Sequence, residues 1–311
     1  MSDHTLTGNI QRHVGFPSQI LKNQREILVY LPPGYRRATR SRYPVLYLHD
    51  GQNVFDAATA FGEVEWRVDE TAHELIKKHL IEPLIIVAVA SMGDDRIHGY
   101  APTKGRLSLD GDSESKSRGL LRKYGQFLVE ELKPFIDRTY RTRPEKEFTG
   151  VGGSSLGGLA SLVLGFWFPA TFTRIAALSP SVWWDNGVVY EIADEISEPP
   201  PFLKIWLDTG THEEGWERVG RLRDQLVAKG WRLYGDLQYL EVHGGQHTEK
   251  AWATRFEAVL RFLFPFSPPG MLSSSQTPII VRHHIVSPDP ILKILPGKST
   301  RTYRSSLTPV P

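Results

Sequence analysis

The sequence predicts an α/β fold on a mostly parallel sheet. Apolar runs of strand length alternate with segments of helical period along the chain, and several of these runs are unbroken stretches of Val, Ile and Leu. Unbroken runs belong to strands covered on both faces, as in a parallel sheet with helices above and below it. The opening β-runs have no helix between them, which predicts antiparallel strands at the N-terminal edge. At 311 residues the chain can bury one large core. The pattern places that core in residues 1–265 and leaves 266–311 as a Pro/Ser-rich tail.

REILVYLPPGY (25–35) alternates into a strand and stops at Pro-Pro-Gly. YPVLYLHDG (43–51) and PLIIVAVASMG (83–93) are continuous strand runs. Between them, EWRVDETAHELIKKHL (65–80) puts Val68, Ala72, Leu75, Ile76 and Leu80 at helical spacing. The alternation continues with a helix over 119–140, a strand over 147–153 and a helix over 155–168. Strands follow at 172–180 and 201–210, then a helix at 216–230, a strand at 233–244 and a last helix at 248–264. Two segments stand outside the pattern. Residues 92–118 form a long polar connection of the kind that is functional or mobile in compact domains. The tail carries one strand-like island, IIVRHHIV (279–286), and no core of its own.

Composition removes whole classes of function. The net charge is +2 and the 37 basic residues are scattered, which argues against a nucleic-acid binder. With no cysteine, disulfides, thiolate metal sites and cysteine nucleophiles are excluded. The start, MSDHTLTGNIQRHVGF, lacks a secretory pattern, and the longest apolar run (83–90) is too short to span a bilayer. A cytoplasmic protein without a membrane partner is expected.

The chemistry points to GGSSLGG (152–158), where two serines adjoin. Only Ser155 has glycine at both minus two and plus two, Gly153 and Gly157, giving one GxSxG between a predicted strand and a predicted helix. That is the context of a nucleophile elbow, where a sharp strand-to-helix turn exposes a serine above the sheet. Side chains at minus two and plus two are expected to collide there, and Gly158 to let the helix approach the strand. Ser154 reads as a backbone-bonding hydroxyl.

A serine needs a base to take its proton and an acid to orient the base, and in this arrangement they follow in the order Ser, acid, His. Three histidines lie between the elbow and the tail. His247, after Gly-Gly-Gln and just before the last helix, is the expected base; His243 falls within the predicted strand and reads as structural, and His212 is the third. For the acid, KIWLDTGTHEEGW (204–216) offers Asp208, Glu213 and Glu214. Glu213 in the loop proper is the choice, and Asp208 at the strand end the runner-up. An oxyanion hole requires two backbone N–H donors. Leu156, after the nucleophile, and Gln52 in HDGQNVF (49–55) are expected to supply them, with Asn53 the alternative to Gln52.

With these residues in hand the chain resembles the esterase branch of the α/β hydrolases. That group holds enterochelin and siderophore esterases, esterase D, feruloyl and acetylxylan esterases, and the mycolyltransferases. The phrases that carry the resemblance are REILVYLPPGY, YPVLYLHDGQNVFD, VEELKPFIDRTYRT, GGSSLGGLASL, LSPSVWWD, LDTGTHEE and GGQHTEKAW, across about residues 10–265. It implies the α/β-hydrolase fold with helices on both faces, Ser155 as nucleophile, His247 as base and an acid in the GTHE stretch. Many relatives carry Gly-Thr-x-Asp there, and Glu213 departs from that pattern. No metal or organic cofactor is implied.

The expected function is a serine carboxylesterase working through an acyl-serine, on a siderophore-type or carbohydrate-linked ester. Acyl transfer of the mycolyltransferase kind and a catalytically inactive binding module are the rival readings. Trp66, Tyr100 and Trp184, with Trp183, are candidate substrate-stacking aromatics, against burial in the core. Arg96 is a candidate for an anionic substrate, against a solvated surface charge. The partner expected is a small-molecule ester; the tail, as a docking or dimerisation strap, leaves a homo-oligomer open.

Overall fold

A computed structural model describes residues 4–91, 93, 95–109 and 113–266. Residues 267–311, which hold nearly all of the predicted tail and the whole strand-like island at 279–286, lie outside the described residues.

Eight strands form the main sheet. They are β1 (Asn9–Ser18), β2 (Asn23–Leu31), β3 (Val45–Leu48), β4 (Ile85–Val89), β7 (Thr149–Ser154), β8 (Arg174–Leu178), β9 (Lys204–Gly210) and β10 (Leu237–Val242). Their order is β1-β2-β4-β3-β7-β8-β9-β10. The β1–β2 and β2–β4 pairs are antiparallel. Every pair from β4 to β10 is parallel. The antiparallel N-terminal edge is therefore where the sequence places it, and β1 itself extends it beyond the run read at 25–35.

Period-two alternation splits the core into two layers. Val45, Tyr47, Ile85, Val87, Ile175, Ala177, Ile205 and Leu207 point into one layer. Leu46, Leu48, Ile86, Ala88, Ala176, Leu178 and Trp206 point into the other. On the first side pack α3 (Leu121–Gln126), a π-helical stretch (Phe127–Leu132), α4 (Lys133–Thr139), α5 (Leu156–Trp167), α6 (Val188–Asp194) and α7 (Glu217–Ala228). On the second pack α1 (Val68–Lys77) and α8 (Glu249–Leu263). The helix expected over 119–140 is thus one continuous helical run with a wider turn in its middle.

Residues 92–118, read as a polar loop, contain structure. A short helix α2 (Asp95–Tyr100) is followed by a hairpin of β5 (Arg106–Leu109) and β6 (Ser113–Lys116). The run is too polar and too short in period to announce either element. Helix α6 was likewise not anticipated. No helix among the described residues is long and apolar enough to cross a membrane.

Candidate active site

Strand β7 ends at Ser154, and α5 begins at Leu156, so Ser155 alone makes the turn. Its backbone sits at φ 55°, ψ −123°, a region costly for any residue with a side chain, by about 1–3 kcal/mol. The turn is held by Ser155 N–H on Leu178 O at 3.0 Å, and Ser181 N–H on Ser155 O at 3.0 Å. Ser154 is buried within the strand, paired with Leu178. The Ser155 hydroxyl lies 3.4 Å from that of Ser181.

The expected glycine sterics hold at one place and not at the other. A Cβ on Gly153 would stand 3.0 Å from the Gly157 backbone and from the His49 ring, so minus two is closed. On Gly157 it would meet nothing nearer than 3.4 Å, ordinary contact distance, so plus two has room for a methyl group. Gly158 does serve close approach, since its Cβ would lie 2.9 Å from Leu178 O.

Helix α8 is N-capped by Thr248, whose hydroxyl accepts from Ala251 N–H at 3.3 Å. His247 therefore stands immediately before the N-cap of the helix, with its side chain 43 % exposed. Its Nδ1 lies 3.0 Å from Glu213 Oε2. A carboxylate only accepts, so Nδ1 is the nitrogen that donates to Glu213. The other Glu213 oxygen, Oε1, accepts from the Gly210 N–H at 2.8 Å and the Ser179 hydroxyl at 2.7 Å. Burial works to raise the Glu213 carboxyl, but hydrogen bonds from His247, Ser179 and Gly210 outweigh it and hold the group below its ordinary value.

Asp208, the alternative acid, is engaged elsewhere. It is fully buried on β9, accepts from Arg255 Nη1 at 2.5 Å and Trp206 Nε1 at 2.7 Å, and receives the Ser179 N–H at 3.1 Å. Burial raises its carboxyl, and Arg255 opposes the rise. Glu214 and His212 are exposed. His243 lies just past β10 in an exposed turn rather than within the strand.

The loop after β3 interlocks with the elbow. His49 packs on Gly153 and Gly157, and its Nδ1 lies 3.0 Å from the Tyr124 hydroxyl. Full burial lowers its pKa to about 4, so it stays neutral. Asp50 turns the chain in a left-handed conformation at φ 54° and takes both ends of the Arg96 guanidinium at 2.8 Å. Gln52 is clamped through its side-chain amide by Ser91 Oγ at 2.9 Å and Ser91 N–H at 3.0 Å, and its carbonyl accepts from Thr59 at 2.7 Å. Asn53 is buried, its own N–H is spent on Asp50 O at 2.8 Å, and its side chain bonds Phe61 N–H and Glu249.

The proposed stacking aromatics are not presented to a ligand. Trp66, Tyr100 and Trp184 are 2 %, 1 % and 1 % exposed and belong to the core. Trp66 packs on Trp252 and Phe256, Tyr100 on His49 and Tyr124, and Trp184 donates to Thr103 Oγ1 at 3.2 Å. Strand-end aromatics are large enough to be claimed by the core first. Trp183 is the exposed member of its pair. Arg96 is not a solvated charge either, being bound to Asp50 with its side chain 32 % exposed.

Ser179, Ser181, Trp252 and Arg255 all touch this site and were not singled out from sequence. The phrase LSPSVWWD held a signal for the two serines, directly after β8 at the sheet's carboxyl end. Among the described residues the group able to hold a metal is Glu65, Asp69 and Glu70, at the start of α1, with oxygens within 4.8 Å of one another. Burial, with Glu70 beside it, pushes the Asp69 carboxyl up.

A serine at a strained turn between β7 and α5, facing loops at the same end of a mostly parallel sheet, defines an α/β hydrolase. The family described as "Putative esterase" matches residues 18–263, and the chain belongs to it, among the carboxylic ester hydrolases. An endo-1,4-beta-xylanase/feruloyl esterase of Xylanibacter ruminicola is 26 % identical over 264 residues, 83 % of this chain and 31 % of that one. This chain therefore spans about a third of that relative. The BES protein of Bacillus cereus superposes with a TM-score of 0.65 at 23 % identity, over 85 % of this chain and 99 % of that one. The enterobactin esterase FES of Shigella flexneri, solved in the presence of enterobactin, does so with 0.66 at 20 %, over 83 % and 60 %. Both share the fold.

Proposed function

We propose that this chain is a serine carboxylic-ester hydrolase working through an acyl-serine, with Ser155, His247 and Glu213 as its triad. One observation carries the reading: a strained Ser155 at the elbow is matched by a His247–Glu213 pair at 3.0 Å, in the chain order Ser, acid, His. Ser155 Oγ attacks the ester carbonyl and His247 Nε2 takes its proton. Glu213 fixes the tautomer and stabilises the imidazolium. The carbonyl oxygen, now an oxyanion, is received by the N–H of Leu156 at the start of α5 and that of Gln52, whose backbone the Ser91 and Thr59 contacts hold in place. His247 then protonates the leaving alcohol. Water, activated by the same histidine, releases the acid and restores the serine.

For the substrate, a siderophore-type ester is the first choice and a carbohydrate-linked ester the second. The names of the enterobactin esterase and of the xylanase/feruloyl esterase support these in turn. The test is hydrolysis of short and medium p-nitrophenyl esters by wild type, Ser155→Ala and Ser154→Ala, followed by a panel of siderophore and feruloyl esters. Activity lost only in Ser155→Ala is expected. A wild type that neither turns over esters nor reacts with a fluorophosphonate would end this reading in favour of an inactive binding module.

A further inference from the structure

Behind Glu213 lies a buried network that the triad chemistry does not by itself require. Ser179 follows β8 in a left-handed backbone conformation at φ 42°. Its hydroxyl accepts from Trp252 Nε1 at 3.0 Å and from Arg255 Nη1 at 3.2 Å. A hydroxyl has two acceptor sites and one proton. With both acceptor sites filled by obligate donors, the single proton has one direction left, and it is spent on Glu213 Oε1 at 2.7 Å. The polarity of that hydrogen bond is thus dictated by α8.

Charge completes the arrangement. Arg255 is 4 % exposed and sits between two carboxylates, with Nη1 2.5 Å from Asp208 and Nη2 3.5 Å from Glu213. One buried cation therefore serves two buried anions. Without it, Asp208, on the Ser179 N–H, and Glu213, on the Ser179 hydroxyl, would be two unpaired carboxylates around one serine, a situation in which one takes up a proton. The other charged groups facing His247 and Glu213 are few. Glu249 at the start of α8 interacts with His247, and its own charged neighbours are Asp50 and Arg96. Trp252 also lays its ring edge-on to His247 at 4.9 Å, so the residue that orients Ser179 packs on the base as well.

We propose that Ser179 and Arg255 are positioning residues: the Asp208–Arg255 pair, acting through the Ser179 hydroxyl, holds Glu213 ionised and aimed at His247. This rests on the serine-hydrolase reading above. It assigns Asp208 a task that differs from that of triad acid, and it explains why a carboxylate on the strand and one in the loop are both present.

The experiment compares the wild-type chain with Ser179→Ala, Arg255→Met and Arg255→Lys. It measures kcat and KM on a p-nitrophenyl ester and the Tm, each from about pH 5 to about pH 8. Ser179→Ala is expected to lower kcat about tenfold to a hundredfold with KM unchanged, the usual size of an orienting contact. Arg255→Met removes a cation from a cluster of two carboxylates and an imidazole, so protonation becomes easier. The acid limb of kcat/KM should move to higher pH by about one unit, and Arg255→Lys should bring it back. Unpaired carboxylates have raised folded-state pKa values, so stability is lost as pH rises and the Tm deficit of Arg255→Met should widen toward pH 8. A Ser179→Ala enzyme with wild-type kcat would overturn the proposal. So would an Arg255→Met enzyme whose acid limb stays in place and whose Tm deficit is the same at every pH, the mark of packing alone. If the wild type is inert to ester and fluorophosphonate, the hydrolase reading is what fails, and the pH dependence of the Tm deficit still decides the network.

Discussion

The elbow at Ser155 and the arm that carries Glu213 and His247 are built by opposite means. The elbow is made by backbone within a few residues: a strand end, one strained residue, a glycine where a Cβ would meet another main chain, and a helix start. The arm is made by side chains from three distant parts of the chain, with Ser179 after β8, Asp208 and Glu213 on or after β9, and Trp252 and Arg255 on α8. One half of the site is positioned by sterics, the other by hydrogen bonds and one buried cation. Perturbing the two halves should therefore fail in different ways.

The sharpest contrast is between adjacent serines. Ser155→Ala removes the proposed nucleophile from an intact turn, and kcat should fall about 10⁵- to 10⁶-fold. Ser154→Ala, one residue inside the strand, should turn over like the wild type. Equal loss in both would mean that the elbow's geometry, not its hydroxyl, is what the assay reads.

Next in size is the contrast between the two carboxylates. Glu213→Gln keeps shape but removes the anion proposed to fix the His247 tautomer, and should cost about 10⁴-fold in kcat with the fold intact. Asp208→Asn breaks a fully buried ion pair and should show first as stability, about 3–5 kcal/mol by urea unfolding, with a much smaller fall in kcat. The reverse pattern would move the triad acid to Asp208.

This division also accounts for what the sequence could tell. The elbow was legible because its determinants, Gly153, Ser155 and the flanking apolar strand and helix, are contiguous. Glu213 and His247 could be singled out because the loops after β9 and β10 are where an acid and a base are expected, and the structure places the two side chains 3.0 Å apart. Their partners could not, because Ser179, Trp252 and Arg255 converge only after the sheet has formed. The aromatic prediction went astray for a related reason. Trp66 and Trp184 stand in connections between the main elements and Tyr100 at the end of α2, but a ring of that size gains more by burial than a sequence position reveals. Helix α2 and the β5–β6 hairpin were missed because they lie in a polar stretch with no apolar period to read.

His49 gives a smaller effect, on pH. Full burial holds its pKa at about 4 in the folded protein against 6.5 in the unfolded chain. A base whose folded pKa is depressed contributes full stability above the unfolded value, and loses it as pH falls from there through the folded value. The loss should be about 3 kcal/mol between roughly pH 6.5 and pH 4. Urea unfolding of wild type and His49→Gln at about pH 7 and about pH 4.5 checks it, since the variant should lack that slope. Glu213, held below its ordinary 4.5, adds a further loss that begins only beneath that value. A wild type as stable at the lower pH as at neutrality would mean that His49 is reached by water.

The smallest effect tests the elbow's sterics directly. Alanine at Gly153 puts a Cβ 3.0 Å from the Gly157 main chain and the His49 ring, neither of which can move without shifting the Asp50 turn or the first turn of α5. The cost should be about 1–3 kcal/mol in stability, and kcat should fall with it, because both segments proposed to carry the oxyanion donors are displaced. Alanine at Gly157 meets nothing nearer than 3.4 Å and replaces glycine inside a helix at negative φ. There it should be neutral or gain up to about 1 kcal/mol. The GxSxG pattern treats the two glycines as equivalent. If only Gly153→Ala is damaging, the requirement in this chain reduces to the minus-two position. If both are damaging, Gly157 is kept clear for the substrate rather than for the fold.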